Sequence, residues 1–411
     1  MITEATLYLA IPEDADGALL RVIGQPVAFR ALVAALRAGC DRVAVPARFR
    51  GTDVERAIAA SPRARGATVW LDDVDAPPVG PSLLLPAAAL VSAADLRRLV
   101  RGGAATVLAC PDAQAPVVAA DADLMQALWS EIRGARPLAS ALGPMLAQRA
   151  ARRATADWYV HVTDARAARQ AETLLYGGLG SPIDTALDRV VHRRLSRPVT
   201  RMAIVLGLTP NQVSMLSLVV GLLAVWSFWN ATPLSAVLGL VLYVAAAVLD
   251  HSDGEVARLT LGESRLGEWL DVTNDTVVHG LLVLAMGMTT QQAAGRAGIG
   301  LGVLAAVGVV VSAMIAKTSP RSAGKGIGDA LDAHGGFLDA LGGVLDALGN
   351  RDGFYAMLII FILALTFAPS ALPTLMLVVT AGSHAYWLTR LGYRIFTVTA
   401  RGRAGNGSGA G

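Results

Sequence analysis

The sequence predicts a two-part chain, an α/β domain with a mostly parallel sheet followed by an all-α domain of six transmembrane helices. Three observations predict it. Up to about residue 160, short apolar runs alternate with helical stretches, the pattern of strands joined by crossover helices. From about residue 206, apolar stretches near the ~20 residues needed to cross hydrocarbon follow one another. Composition agrees, since 54% of the 411 residues are hydrophobic and only 16% charged, against about a quarter charged in a soluble domain.

In the first domain, 1–160, the runs Thr6–Ile11, Arg42–Pro46, Thr68–Leu71, Ser82–Leu85 and Thr106–Ala109 read as buried strands. Helices are expected at Val27–Ala38, Asp53–Ala60 and Ala93–Val100. Strands alternating with helices imply a sheet covered on both faces. Residues 161–205 form a linker. It holds a helix over Ala165–Tyr176, breaks at Gly177-Gly178 and Gly180-Ser-Pro182, and an amphipathic helix from Ile183 to Leu206 suited to the membrane surface. The membrane domain, 206–395, holds spans near 212–230, 234–250, 271–290, 296–316, 353–369 and 372–390. The Gly-rich segment 322–350 interrupts them and reads as a surface-lying helix or mobile loop, a plain connector rather than a lid over the site. The tail, 396–411, is Gly/Ala-rich from Gly402 onward and is expected to be disordered.

A net charge of +3 gives no support to nucleic-acid binding. Arg149, Arg152, Arg153, Arg189, Arg193, Arg194, Arg197 and Arg201 gather ahead of the first apolar stretch. That distribution suits anionic lipid, a phosphorylated substrate or plain topology signalling. Basic residues also follow the second, fourth and sixth stretches, while the linkers 230–233 and 368–373 carry none. The bias places both termini, and the loop after the second span, on the cytoplasmic side of a prokaryotic inner membrane. The start, Met-Ile-Thr-Glu-Ala, has no basic stretch leading into an apolar one, so no cleaved signal peptide is expected. Cys40 and Cys110 form no metal or disulfide pattern and read as core thiols.

In the first domain, Gly24-Gln-Pro-Val, Arg30 and Leu36–Val45 resemble the early part of sugar-nucleotide and alditol-phosphate nucleotidyltransferases. That resemblance implies a Gly-rich, Arg-containing phosphate loop after the first strand and a metal-binding Asp near a mid-domain strand end. Here the loop reads Ile11-Pro-Glu-Asp-Ala-Asp-Gly17, and the mid-domain stretch Leu83–Leu90 has no carboxylate. An acidic loop repels a triphosphate rather than cradling it. The expectation is a nucleotidyltransferase-like fold without the activity.

The chemistry is concentrated in Asp250-His-Ser-Asp253-Gly254-Glu-Val-Ala257-Arg258 and Gly267-Glu-Trp-Leu-Asp271-Val-Thr-Asn-Asp275. Asp250 and Asp253 share a helix face, as do Asp271 and Asp275. A helical hairpin therefore gathers four carboxylates at a membrane boundary, where they are expensive and repel one another unless cations neutralise them. All-oxygen ligands favour Mg²⁺ or Mn²⁺, which bridge phosphate oxygens. Gly254, Ala257 and Gly267 leave room near the backbone, and Arg258 offers a phosphate-binding fork. Small residues alone would mean close helix packing, and acids alone an ion or proton path in a transporter or scaffold. The combination favours metal-phosphate chemistry.

The string fits D-x2-D-G-x2-A-R-x8-G-x3-D-x3-D at every fixed position, and on it the region 183–395 resembles the CDP-alcohol phosphotransferase family. Arg197-Pro-Val-Thr-Arg201, Leu208-Thr-Pro-Asn-Gln-Val213 and Gly349–Tyr355 add to the likeness. The resemblance implies two divalent ions, Mg²⁺ or Mn²⁺, surrounded by the metal-site residues Asp250, Asp253, Asp271 and Asp275, the first three mainly as ligands and Asp275 also as general base. It also implies a cytidine diphosphate bordered by Asp250, Asp253, Gly254, Ala257, Arg258 and Gly267. His279, one turn beyond Asp275, and Arg197 and Arg201 are accessory candidates. The expected partners are a CDP-alcohol donor, an alcohol or lipid acceptor, membrane lipids and a second copy in a homodimer. The two-part layout is similar to bifunctional inositol-phosphate cytidylyltransferase and di-inositol-phosphate phosphate synthase proteins.

Overall fold

The structure, a computed structural model, describes residues 2–102, 106–109, 114–149, 152–179, 192–318 and 351–406. The chain divides into two compact units, Met1–Leu179 and Gly180–Gly411.

The first unit opens with β1 (Glu4–Tyr8) and a short helix α1 (Asp14–Gly17), then a hairpin of β2 (Arg21–Val22) and β3 (Gln25–Pro26). Next is α2 (Val27–Ala38), which buries Val27, Phe29, Leu32 and Leu36. It stops at Gly39, whose φ of 114° glycine alone adopts cheaply. There follow β4 (Arg42–Val45), α3 (Asp53–Ala60), α4 (Pro62–Ala67), β5 (Thr68–Trp70), β6 (Ser82–Pro86), β7 (Ala89–Val91) and α5 (Ala93–Gly102). The unit closes with β8 (Thr106–Ala109), β9 (Val117–Ala120), α6 (Ala122–Arg133), α7 (Ala139–Gln148), β10 (Arg152–Thr155), β11 (Tyr159–His161) and α8 (Ala165–Gly177). Side-chain oxygens of Thr52, Ser61, Asp121 and Asp164 accept from the first turns of α3, α4, α6 and α8, fixing where each begins.

Seven strands form one sheet in the order β10-β8-β9-β6-β1-β4-β5. Strand β9 is antiparallel to β6 and β8, and the other pairings are parallel. The sheet is mostly parallel, as expected, with four parallel pairings, and β9 makes it a mixed one. Residues 110–116, between β8 and β9, are too few for the crossover that a parallel pairing requires. Tyr8, Leu84 and Val118 from the sheet pack with Leu124, Met125 and Leu128 of α6.

Two residues of the phosphate-loop resemblance are used internally. Asp14, buried, accepts from the Ala10 amide at 2.6 Å and meets His161 Nε2 at 2.5 Å. Arg30, also buried, donates to the Val22 and Ile23 carbonyls at 2.7 and 3.3 Å, holding the β2–β3 hairpin. Burial lowers Arg30 to about 10. Cys40 is a core thiol as expected, pushed up to about 12 by burial. Cys110 lies outside the described residues.

The second unit is helical: α9 (Arg193–Val205), α10 (Pro210–Phe228), α11 (Pro233–Thr260), α12 (Arg265–Ala294), α13 (Arg296–Thr318), α14 (Arg351–Phe367) and α15 (Leu372–Asn406). Thr209-Pro210 and Thr232-Pro233 start α10 and α11 in the same way. The threonine side chain caps, proline takes the first turn, and Gln212 or Ser235 closes a capping box. Helices occupy all six expected spans. Among the described residues, three are long and apolar enough to cross a membrane: Pro210–Phe228, Pro233–Thr260 and Arg296–Ile315; Asp352–Phe367 is apolar but shorter. Exposed Leu216, Leu223, Trp226, Leu234 and Leu238 give α10 and α11 an apolar outer surface. Their inner sides, with Phe228, Tyr243, Val278, Leu282, Met286 and Phe361, form the core of the bundle.

Two boundaries differ from the sequence reading. Helix α11 runs on to Thr260 and α12 begins at Arg265, so the aspartates sit inside continuous helices rather than at their ends. Helix α15 continues through Asn406, so the tail is helical where disorder is expected, and Ile395–Arg401 has no glycine to stop it. Residues 407–411, the segment 322–350 and the start of the amphipathic helix at 183–191 lie outside the described residues.

Candidate active site

Helices α11 and α12 form a hairpin whose turn, Leu261–Ser264, follows a left-handed Leu261 (φ 60°) and ends with Ser264 capping α12. The hairpin sets Asp250 and Asp253 of one helix against Asp271 of the other. Carboxylate oxygens of the three lie within 4.8 Å of one another. Asp253 is buried, Asp250 half-buried and Asp271 exposed, so the cluster opens outward along α12. The Ser214 hydroxyl of α10 donates to Asp253, and the Asn274 amide donates to the Ser214 carbonyl at 3.1 Å. A chain of contacts thus fixes α10 behind the cluster. The oxygen-only donor set suits a hard divalent cation.

Asp275 is outside the three-carboxylate cluster. It is half-buried and lines an adjoining cleft with Asp250, Asn274, Tyr243 and Ser217, among small and apolar residues Ala246, Ala247, Leu218 and Val278. Gly254 and Ala257 are half-buried on α11, and Arg258 is exposed beside Gly254. Gly267 lies in the first turn of α12, where an added Cβ would sit 3.4 Å from Asn211 Oδ1 of α10. Arg197 and Arg201 are exposed on α9. His279 Nε2 is 2.6 Å from the Tyr243 hydroxyl.

Sequence reasoning missed Glu255, in the middle of the motif. It is fully buried and held by three residues of α9: Arg193 Nη1 at 2.7 Å, Ser196 Oγ at 2.9 Å and Thr200 Oγ1 at 2.7 Å. This network locks α9 to the aspartate-bearing segment of α11. A signal existed, because a glutamate inside an apolar helix requires a partner, and Arg193 stands upstream in a helix that can supply one.

Residues 207–381 match the CDP-alcohol phosphatidyltransferase family, and the second unit therefore carries a domain of that family. A CDP-diacylglycerol–serine O-phosphatidyltransferase of Mycobacterium leprae is 38% identical over 86 residues, 21% of this chain and 28% of the relative. Bifunctional IPC transferase and DIPP synthases are also similar. The Thermococcus kodakarensis protein is 30% identical over 107 residues, 26% of this chain and 24% of the relative. That of Archaeoglobus fulgidus is 31% identical over 100 residues, 24% and 19% respectively. The chain thus spans about a quarter of the length of the curated relatives it matches.

Proposed function

We propose that the chain is a membrane-embedded, divalent-metal-dependent phosphotransferase that moves a substituted phosphate from a CDP-alcohol to an acceptor hydroxyl. The observation that carries this reading is the gathering of Asp250, Asp253 and Asp271 on two adjacent helices of the family's domain. Their oxygens, all within 4.8 Å of one another, can bind hard divalent cations together. The reading takes two such ions, as the family resemblance implies. When bound, such ions polarise the diphosphate and stabilise the leaving phosphate.

The protein's own part follows from the placement of its residues. Gly254, Ala257 and Gly267 leave the backbone open beside the cluster for cytidine diphosphate, with Arg258 near its charge. Asp275, in the cleft next to Asp250, takes the proton of the acceptor hydroxyl. The acceptor oxygen bonds to the β-phosphorus, the bond from that phosphorus to the bridging oxygen breaks, and CMP leaves. The exposed apolar helices support an integral membrane protein. Trp269 near the start of α12 and Trp226 and Trp229 near the far end of α10 are exposed as interfacial anchors would be. Six spans, a cytoplasmic active site, a homodimer and a catalytically silent nucleotidyltransferase-like first unit complete the reading.

Release of CMP from CDP-diacylglycerol or a soluble CDP-alcohol, by the full chain in detergent with Mg²⁺, tests it. Release should cease on chelation and return with Mg²⁺ or Mn²⁺. Full activity after exhaustive chelation would remove the metals. No release with any donor, with ion binding retained, would favour the transporter or scaffold alternative.

A further inference from the structure

Helix α10 carries no acidic residue, yet it packs against both helices that hold the aspartates. Its first turn sits against the hairpin. A Cβ at Gly262, in the turn, would lie 3.6 Å from Pro210 Cγ, and one at Gly267 would lie 3.4 Å from Asn211 Oδ1. One turn further along α10, the three helices meet at Ser214. Its hydroxyl donates to Asp253 of α11, and its carbonyl accepts from the Asn274 amide of α12 at 3.1 Å. Asp253, Ser214 and Asn274 are all buried. Asn274 stands between Asp271 and Asp275 in the sequence. A single residue of α10 therefore ties the Asp253 carboxylate to the segment of α12 that bears Asp271 and Asp275.

Buried hydroxyls elsewhere in this bundle serve helix packing alone. Ser252 and Thr290 each donate to the backbone carbonyl four residues back, and Ser217 donates to the Ala246 carbonyl at 2.9 Å. Ser214 has the same option, because the Pro210 carbonyl is 3.2 Å away. A hydroxyl has one hydrogen, and an ionised carboxylate is the stronger acceptor, so that hydrogen goes to Asp253. Such a bond restricts how a buried carboxylate can turn. Groups that orient metal-binding side chains in this way set much of a site's affinity.

We infer that Ser214 is a positioning residue for the aspartate cluster. Its hydroxyl fixes the Asp253 carboxylate, and its carbonyl, through Asn274, fixes the register of α12 against α11. The inference rests on the metal-dependent reading proposed above and deepens it, by giving a role to a helix that supplies none of the carboxylates.

The test uses the full chain in detergent. It reads Mn²⁺ binding from the electron paramagnetic resonance signal of free Mn²⁺, beside the Mn²⁺ dependence of CMP release. Ser214→Ala should weaken Mn²⁺ binding about 10–100-fold, the usual scale for losing a group that orients a metal ligand, and shift the activation midpoint with it. Ser214→Thr keeps the hydroxyl and should bind Mn²⁺ within about threefold of the unaltered chain. Asn274→Ala should also weaken Mn²⁺ binding, and it carries the test should Ser214→Ala fail to fold. Thr289→Val is the control for lost packing. Thr289, also buried, donates to the Phe228 carbonyl at 2.6 Å and accepts from the Ala231 amide at 2.8 Å. It lies about 27 Å along α12 from Asp271. Thr289→Val should lower the melting temperature and leave Mn²⁺ affinity within about twofold. Unchanged Mn²⁺ affinity in Ser214→Ala or Asn274→Ala, or an equal loss in Thr289→Val, would overturn the role. So would a Ser214→Thr chain that melts normally yet binds as weakly as Ser214→Ala. No Mn²⁺ binding by the unaltered chain would overturn the metal-dependent reading itself, and the positioning role with it.

Discussion

At Asp253 a buried carboxylate meets the Ser214 hydroxyl, whereas Asp271 stands open to solvent on the facing helix. Asp275 lies apart, in the cleft. Replacing Asp250, Asp253 or Asp271 by Asn should weaken Mn²⁺ and CDP-alcohol binding together. Asp275→Asn should keep much of the donor affinity and lose on the order of 10²–10⁴ in turnover, the usual cost of removing a general base. Donor affinity and single-turnover rates for the four variants separate the roles. Equal loss of donor binding in Asp275→Asn and Asp250→Asn would remove the base assignment. Glu255 gives a stability prediction instead. Glu255→Leu removes the buried carboxylate that Arg193, Ser196 and Thr200 hold and should cost about 3–5 kcal/mol, read by thermal unfolding in detergent. The pair Glu255→Leu with Arg193→Met should recover part of that loss, because the guanidinium that faced Glu255 is removed with it.

Helices α12 and α13 approach so closely that a Cβ added to Gly287 would lie 2.5 Å from Gly302 Cα and 2.9 Å from the Gly298 carbonyl. Gly287→Ala should therefore force the helices apart and cost about 1–3 kcal/mol. Gly300→Ala on α13, with nothing within 4 Å of its Cβ, should be neutral or slightly stabilising. Melting temperatures of the two variants in one detergent decide it. Much at this scale was legible in the sequence. Val27–Ala38 and Asp53–Ala60 stand where periodicity puts them, because an apolar stripe and a cap both mark their limits. The Asp250–Asp275 constellation was legible because its spacing matches two helix faces. Strand β9 was not anticipated, since Val-Val-Ala-Ala has no period and its direction depends on the length of the preceding loop. The Glu255 network escaped for a related reason. Its partners lie more than fifty residues away, on a helix whose packing face no local pattern reveals.

As a whole, the chain joins a family domain that bears the aspartate site to an α/β unit whose loop after β1 is folded inward on Asp14 and His161. The full chain supplied with CTP and an alditol phosphate should release no pyrophosphate. Steady release, lost in a chain altered only within Met1–Leu179, would show that the first unit is an active nucleotidyltransferase. The seven-stranded sheet has a further consequence for handling this protein. Strand β10 ends the sheet order and turns Arg152 and Arg153 outward. Unpaired strand edges template intermolecular pairing, and outward charges are a common guard against it. Arg152→Thr with Arg153→Thr should leave the aspartate site untouched yet make concentrated solutions turbid, followed by light scattering and by the growth of a cross-β dye signal. Two arginines of the first unit would then set the concentration at which the chain stays in solution.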